Sequence, residues 1–416
     1  MSLIRVAVTG LGSVNSLGHN LGSTWAALTE GKSGISLLPP LNDGLAFDYP
    51  VKIAGMVRDY QIAENILSAK ERDRYSRFIH YALDSAFQAY HHAQLTPESY
   101  PLTRQGCILG VGMGGFPEIE KEDREFVKKP KAKTSPFFIT SIISNMASGL
   151  ISIKFALQGA NFAVTSACAS AGHALTSAFN LIQLGQQDMI LCGGAEAVTS
   201  KLTLAGFHTI KALSSREVSP QTASCPFDNE RDGFVMAEGS AVLVLENYDK
   251  AKARGAPILA EIVACGFSSD ANHITAPHPE GLGAANSMLM ALQQANISPE
   301  NIDYINAHGT STPLGDKLES DAIKKVFGQH AYQLHVSSTK SMTGHMLGAA
   351  AAIESLACVM ALREGVIPPT INLHHPDPAC DLNYTPLKAV KKNMQYVMNN
   401  SFGFGGTNST IIFKKS

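Results

Sequence analysis

Charge is scarce in this sequence. Of its 416 residues only 16% are Asp, Glu, Lys or Arg, against roughly 25% in an average domain. A surface so poor in charge is expected to be covered in part by another subunit. The formal net charge is −2, which removes any global case for nucleic acid or an anionic membrane as partner. Long apolar runs are missing as well. No stretch reaches the ~18 residues that a membrane span needs, so no membrane insertion is expected. The opening MSLIRVAVTGLG lacks the long apolar stretch and small-residue cleavage site of a signal peptide. Cysteine pairing is absent too. Cys107, Cys168, Cys192, Cys225, Cys265, Cys358 and Cys380 are scattered, with no CxxC among them. An odd, unpatterned set argues against a disulfide or zinc framework and for a reducing cytoplasm, with one reactive thiol among six inert ones. Metal-ligand spacing is also lacking. His91-His92 and His374-His375 are adjacent pairs, and helical neighbours point about 100° apart.

What the chain does have is alternation. Strand-like runs at Arg5–Thr9, Cys107–Gly112, Met189–Cys192, Ala241–Leu245, Tyr304–Ala307, His335–Ser337 and Thr410–Phe413 alternate with helix-like runs. The helical ones are Tyr75–Gln94, Gly172–Leu184, Ala284–Ala295, Lys317–Phe327 and Ala349–Arg363. This predicts α/β layers. Glu118–Lys133, rich in charges of both signs, reads as a solvated excursion. Ala163–Gly185 and Val336–Gly365 echo each other as strand, small-residue turn and helix. Each holds a Gly-His just inside its helix, Gly172-His173 and Gly344-His345. Two similar halves, 1–255 and 256–416, are therefore expected, joined near Lys250–Ile258. Their Ala-, Ser- and Gly-rich helices should be buried.

Thr9-Gly10-Leu11-Gly12 lacks the third glycine of a dinucleotide loop, Asn15 standing in its place, and reads instead as a tight turn. Four other motifs carry chemistry. In Ser166–Gly172, small residues leave the sulfur of Cys168 open. The helix that follows should favour its thiolate through unpaired N–H groups and the dipole. The residues alone leave open a buried structural cysteine. His308-Gly309-Thr310-Ser311-Thr312-Pro313-Leu314-Gly315-Asp316 follows an apolar strand, so His308 should enter the crevice at the strand's carboxyl end. Ser338–His345 repeats the pattern, with Lys340 five residues before His345. Imidazole suits proton transfer near neutral pH, and the lysine can set the local charge. Ser401–Asn408 has three glycines, whose backbone N–H groups can cradle an oxyanion. A plain glycine turn with two core phenylalanines, Phe402 and Phe404, is the other reading of that segment.

Taken together, SACAS, HGTSTPLGD, STKSMTGH and FGFGGTN resemble, in order and separation, the elongating β-ketoacyl synthases of the condensing-enzyme family. Gly193–Glu196, Pro226–Asp228, Glu230–Phe234 and Ser268–Ala271 add to the resemblance, which covers nearly the whole chain. It implies a thiolase-like, five-layered αβαβα fold. It also implies a homodimer, an acidic acyl-carrier protein as partner, and no redox or metal cofactor, since acyl groups travel on phosphopantetheine. Carried over by motif, Cys168 would be the nucleophile, and the backbone N–H groups of Cys168 and Phe404 the oxyanion hole. His308 and His345 would stabilise the enolate left by decarboxylation of a malonyl group. Lys340 would orient the histidines, with Glu354 and Asp270 structural beside them. Thr310, Thr312 and Thr275 would hold the pantetheine arm or substrate. Phe402 would line the path, Phe404 would gate it, and Met113 would close the far end of the acyl pocket across the dimer. Lys70, Arg74, Lys133 and Lys211 would dock the carrier protein.

Three departures from the family pattern stand out. Ala351 replaces a glycine, which should alter helix packing. Cys225 replaces an arginine, which should alter a surface contact. Met113 replaces an isoleucine and leaves chain length open. A thiolase would need a second cysteine near Phe402–Asn408, and there is none. A non-catalytic chain-length subunit would lack the nucleophile. A ketosynthase of a polyketide or aryl-polyene pathway would run the same chemistry on another acyl group.

Overall fold

The computed structural model describes residues 3–39, 50–128, 134–217 and 219–416. Ten strands form one mixed sheet: β1 (Val6–Asn15), β2 (Gln105–Gly110), β3 (Asn161–Val164), β4 (Met189–Glu196), β5 (Gly239–Asn247), β6 (Ala260–Ser269), β7 (Tyr304–Asn306), β8 (His335–Ser337), β9 (Tyr396–Gly403) and β10 (Thr407–Lys414). Their spatial order is β8-β7-β9-β10-β6-β1-β5-β4-β2-β3. From the central β1/β6 pair outward, the first five strands run 1-5-4-2-3 and the last five run 6-10-9-7-8. The two runs have the same topology, and their parallel and antiparallel pairings agree strand for strand. The weak echo in sequence is thus a repeat in three dimensions. The halves meet where β1 and β6 pair over Val6–Val8.

The main helices are α1 (Leu21–Glu30), α2 (Arg77–His92), α3 (Phe116–Lys128), α4 (Met146–Phe155), α5 (Ser170–Gln183), α6 (Lys201–Thr209), α7 (Leu282–Ala295), α8 (Pro313–Phe327) and α9 (Ala350–Glu364). Helices α2 and α4 cover the outer face of the first half. Helices α7 and α8 cover that of the second half, and α5 and α9 fill the space between. Strand side chains alternate accordingly. Cys107 and Leu109 face the α2/α4 core, while Ile108 faces the middle one. On β10, Ile411 and Phe413 face the middle and Ile412 the α7/α8 core. Strands apolar on both faces belong inside α/β layers, and the result is the thiolase-like five-layered αβαβα fold. As expected of its composition, α9 is buried all round, from Ala350 to Leu362. Ala351, the first departure, fits within the central layer: a Cβ on Gly172 would meet its methyl at an ordinary 3.5 Å.

Several expectations need correction. Thr9–Gly12 is not a turn but the interior of β1. Its glycines are there because α2 lies against the strand: a Cβ on Gly10 would sit 2.2 Å from the Ala89 carbonyl, and one on Gly12 2.1 Å from that of Ser85. Glu118–Lys128 is solvated as expected, with no buried residue, but it is ordered as helix α3, while residues 129–133 lie outside the described residues. Gly172-His173 lies within α5, but Gly344, at φ 72°, ends the helical turn Lys340–Thr343, so His345 stands on a loop. Cys225 makes no surface contact. It is buried, with its sulfur accepting from Arg216 Nη1 at 3.2 Å.

Candidate active site

Between β3 and α5 the chain turns sharply, and the turn carries Cys168. Ala167 takes φ 50°, an uncommon conformation for a residue with a Cβ. Ser170 secures it, its hydroxyl accepting from Ser166 N at 2.9 Å and donating to the Ala167 carbonyl at 2.6 Å. Of the seven free cysteines only Cys168 is not fully buried, and it lines a cavity of about 390 Å³. The thiol departs from its expected state. Cys168 precedes the first helical residue, Ser170, by two positions, and burial pushes its pKa up to about 12. The Lys340 charge and the Phe404 N–H pull the other way but do not win. The resting group is therefore a thiol, not the thiolate that its place before a helix suggested.

His308 and His345 reach the same cavity from the second half. His308 follows β7, where Glu319 of α8 grips the backbone. Its carboxylate accepts from His308 N at 2.8 Å and Gly309 N at 2.7 Å. His345 is held by its own backbone, which donates to Val235 O at 2.7 Å and accepts from Ala237 N at 2.9 Å. Its Nε2 lies 3.0 Å from Cys168 Sγ, and the two imidazoles stand edge to face, 5.5 Å apart. Lys340 is buried beneath them. It pairs with Glu354 of α9, donates to the His308 carbonyl at 2.6 Å and comes within 3.5 Å of His308 Nδ1. Burial first, then the Lys340 charge, holds both histidines well below the usual imidazole range. Both rings are neutral at pH 7. An ammonium can only donate, so His308 keeps its lone pair on Nδ1 and its proton on Nε2. Among the described residues no group pins Nδ1 of His345, so either tautomer of that ring is open.

Thr275, Thr310, Thr312, Asp270, Phe402 and Phe404 also line the cavity. The two threonine hydroxyls, on Thr310 and Thr312, lie 3.0 Å apart. Asp270 ties the glycine loop down, accepting from Asn408 Nδ2 at 2.9 Å and donating its N–H to Gly406 O at 2.8 Å. Gly403 must be glycine, since a Cβ there would lie 2.9 Å from Ser166 O and 3.1 Å from Cys168 N. Lys211 stands among the lining residues; Lys70 and Arg74 do not. Lys70 is exposed on the short helix Ala69–Arg72, Arg74 lies over the Phe137 ring, and Lys133 is outside the described residues. Met113 does not line the cavity within this chain. It packs into the cluster that holds Leu347 and Cys168, its N–H donating to Glu196 at 3.1 Å.

Sequence reading missed Glu319 and the aromatic walls Phe207 and Phe234. The Phe234 ring meets that of His345 edge-on at 5.2 Å, and that of Phe207 at 5.4 Å. Glu319 was detectable only as the residue one helical turn beyond Asp316. Among the described residues no group of three His, Cys, Asp or Glu side chains could hold a metal ion. Chemically, the site offers a soft nucleophile, a neutral base in contact with it, a second N–H donor and a backbone cradle. That set performs acyl transfer.

Comparison with known proteins agrees. The model of the beta-ketoacyl synthase N-terminal domain matches residues 4–251, and that of the C-terminal domain residues 259–374. The chain belongs to the β-ketoacyl synthase family. It is 45% identical, over 99% of its length and 98% of the relative's, to the 3-oxoacyl-[acyl-carrier-protein] synthase 2 of Coxiella burnetii. It is 44% identical, with the same coverage, to the protein of that name in Synechocystis. Among solved structures it resembles the AntDE:AntF complex, a type II PKS acyl-carrier protein with its ketosynthase bound to the hexaketide. There the TM-score is 0.91 at 34% identity, covering all of both chains. A beta-ketoacyl synthase from Burkholderia phymatum gives 0.90 at 32%, covering 99% of this chain and all of the other.

Proposed function

We propose that this protein elongates fatty-acyl chains. It would condense an acyl group from acyl-carrier protein with malonyl-carrier protein, giving 3-oxoacyl-carrier protein and CO₂. The observation that carries this reading is the 3.0 Å contact between Cys168 and His345, in one cavity with His308. In the first half-reaction Cys168 Sγ attacks the thioester carbonyl and passes its proton to His345 Nε2. The oxyanion sits on the N–H groups of Cys168 and Phe404, and the carrier thiol leaves with the proton. In the second, the malonyl carboxylate departs as CO₂, and the enolate oxygen accepts from Nε2–H of His308 and, once its ring proton has moved from Nδ1 to Nε2, from that of His345. The carbanion attacks the acyl carbon, the Cys168 sulfur leaves as thiolate, and a proton taken up from solvent, which the overall reaction consumes, restores the thiol. Lys340 keeps both rings neutral, and Glu354 balances its charge. Thr310, Thr312 and Thr275 would hold the pantetheine arm, and Phe402 and Phe404 would line and gate the acyl path, a reading supported by their all lining the one cavity. Each step uses groups of this chain, so no resident cofactor is invoked.

The same reading divides the chain at 255/256 into a thiol-bearing and a histidine-bearing half, supported by the repeated strand order. It makes the protein a homodimer. Among the described residues β3 is an edge strand of the sheet, with Phe162 39% exposed, an edge that asks for a partner strand. Met113 would then serve the partner's acyl pocket. The free thiols suit the cytoplasm, and among the described residues no helix is long and apolar enough to cross a membrane. The fatty-acid reading is favoured over a polyketide or aryl-polyene one because relatives named 3-oxoacyl-[acyl-carrier-protein] synthase 2 reach 45% identity, against 34% for the solved polyketide ketosynthase.

The test is intact-mass spectrometry after incubation with acyl-carrier proteins of several chain lengths. A single acyl adduct on Cys168, discharged by malonyl-carrier protein, is expected; an unmodified protein would refute the reading. Docking is tested separately. Lys211→Glu, and the pair Lys70→Glu with Arg74→Glu, should each raise KM for acyl-carrier protein about 5- to 10-fold at low salt, and less at 0.5 M salt. An unchanged KM at low salt would remove those residues from the docking face.

A further inference from the structure

The Gly-His pairs of the two echoing segments part company in three dimensions. His345 enters the cavity, whereas His173 lies on α5 behind the nucleophile turn and lines no part of it. Its ring is nevertheless bonded at both nitrogens. Nδ1 lies 2.7 Å from Ser166 Oγ, and Nε2 lies 3.3 Å from the carbonyl of Asn408 on β10. The carbonyl can only accept, so Nε2 carries the ring proton and Nδ1 accepts from the Ser166 hydroxyl. Burial keeps the ring in that neutral form, its pKa below the ordinary value. A second bond runs alongside: Thr407 Oγ1 donates to the Ser166 carbonyl at 3.0 Å. Ser166 is thus held from the glycine loop through its carbonyl, and from β10 through His173 and its own hydroxyl.

Both ends of this brace bear on the oxyanion hole. Ser166 precedes Cys168 by two residues across the strained Ala167, and Asn408 ends the loop that presents Phe404. The donors at Cys168 and Phe404 come from different halves of the chain, and their spacing is set only by what ties those halves together at this point. We propose that His173 is a positioning residue. As a neutral imidazole it fixes the nucleophile turn against the glycine loop and so sets the distance between the two oxyanion-hole N–H groups. The inference rests on the acyl-transfer reading of the site.

The experiment separates chemistry that needs the oxyanion hole from chemistry that does not. Acylation of Cys168 by an acyl N-acetylcysteamine thioester passes through a tetrahedral oxyanion; alkylation by iodoacetamide does not. Ser166→Ala removes the hydroxyl, and His173→Gln keeps a donor for Asn408 while losing the bond to Ser166. Each should slow acylation about 10- to 100-fold, the scale of a displaced or lost oxyanion donor, with alkylation within about twofold of the parent. His173→Asn, whose amide can occupy the Nδ1 position, should recover part of the acylation rate. Acylation at the parent rate in both Ser166→Ala and His173→Gln, or alkylation falling in step with it, would overturn the brace. A parent protein that alkylates but never acylates would instead overturn the acyl-transfer reading itself.

Discussion

Cys168→Ser is expected to abolish condensation, lowering turnover by about 10³ or more while the fold stays intact. The size follows from the state of the resting nucleophile. Desolvation in the cavity pushes the thiol up to about 12, and the base in contact with it is a neutral imidazole 3.0 Å away. Attack must therefore move a proton from sulfur to Nε2 as the bond to carbon forms. A hydroxyl in the same place is a much weaker acid and a harder nucleophile, and His345, itself made a poor base by burial and by Lys340, cannot compensate. The check is mass spectrometry with acyl-carrier protein beside a urea unfolding curve. The acyl adduct should vanish and the unfolding midpoint should hold. A serine variant that condensed acyl and malonyl groups at the parent rate would remove Cys168 from the mechanism.

Lys340→Met should be nearly as damaging, for a different reason. Lys340 and Glu354 are each 1% exposed, a buried pair with nowhere to find water. Deleting one partner of such a pair typically costs about 3–5 kcal/mol, because the other charge is left uncompensated. The pH dependence gives the loss a signature. Burial already lifts the Glu354 carboxyl to about 7 despite the lysine. Its folded pKa exceeds that of an unfolded glutamate, so its contribution to stability is present at low pH and is lost as pH rises through about 7. Without the cation the carboxyl rises further, and the penalty at pH 8 should exceed that at pH 5, where the group is protonated. Urea unfolding at the two pH values checks this; equal losses would show that charge is not the cause. Activity should fall as well, with the acid limb of the rate profile moving up in pH as His308 and His345 lose the charge that depresses them. Replacing Glu354 by Leu in the same chain should restore stability but not activity.

The residues that the proposed mechanism uses were legible because that chemistry demands unusual types in unusual places. Cys168, His308 and His345 each stand after a strand among small residues, and the four motifs around them follow one order. Glu319 was not legible, because nothing local marks a glutamate in a polar helix as turned inward onto two backbone N–H groups. The thiolate expectation failed in the same way. Proximity to a helix can be read locally, whereas desolvation comes from the whole fold. Strands β6 and β9 went unseen since small and polar residues, among them Gly266, Ser268 and Ser269 in one and Asn399, Asn400 and Ser401 in the other, interrupt their apolar residues. In β9 the asparagines bond to residues far from them in the chain or on the next strand: Asn399 Nδ2 donates to the Ala351 carbonyl at 3.0 Å, and Asn400 Oδ1 accepts from Thr410 at 2.9 Å. The glycines of β1 misled because their purpose, to admit α2, lies some eighty residues away.

The repeated five-strand unit has a consequence for how this protein fails. Its two copies pair strand to strand at only Val6–Val8 and Ala260–Ile262; beyond that they are joined by helices α5 and α9 and by loop bonds such as those of His345 with Val235 and Ala237. Sulfur comes from one copy and both imidazoles from the other, so neither copy is an enzyme by itself. On gentle heating, catalysis should therefore fade as the copies slip past one another, ahead of any melting of the strands within each.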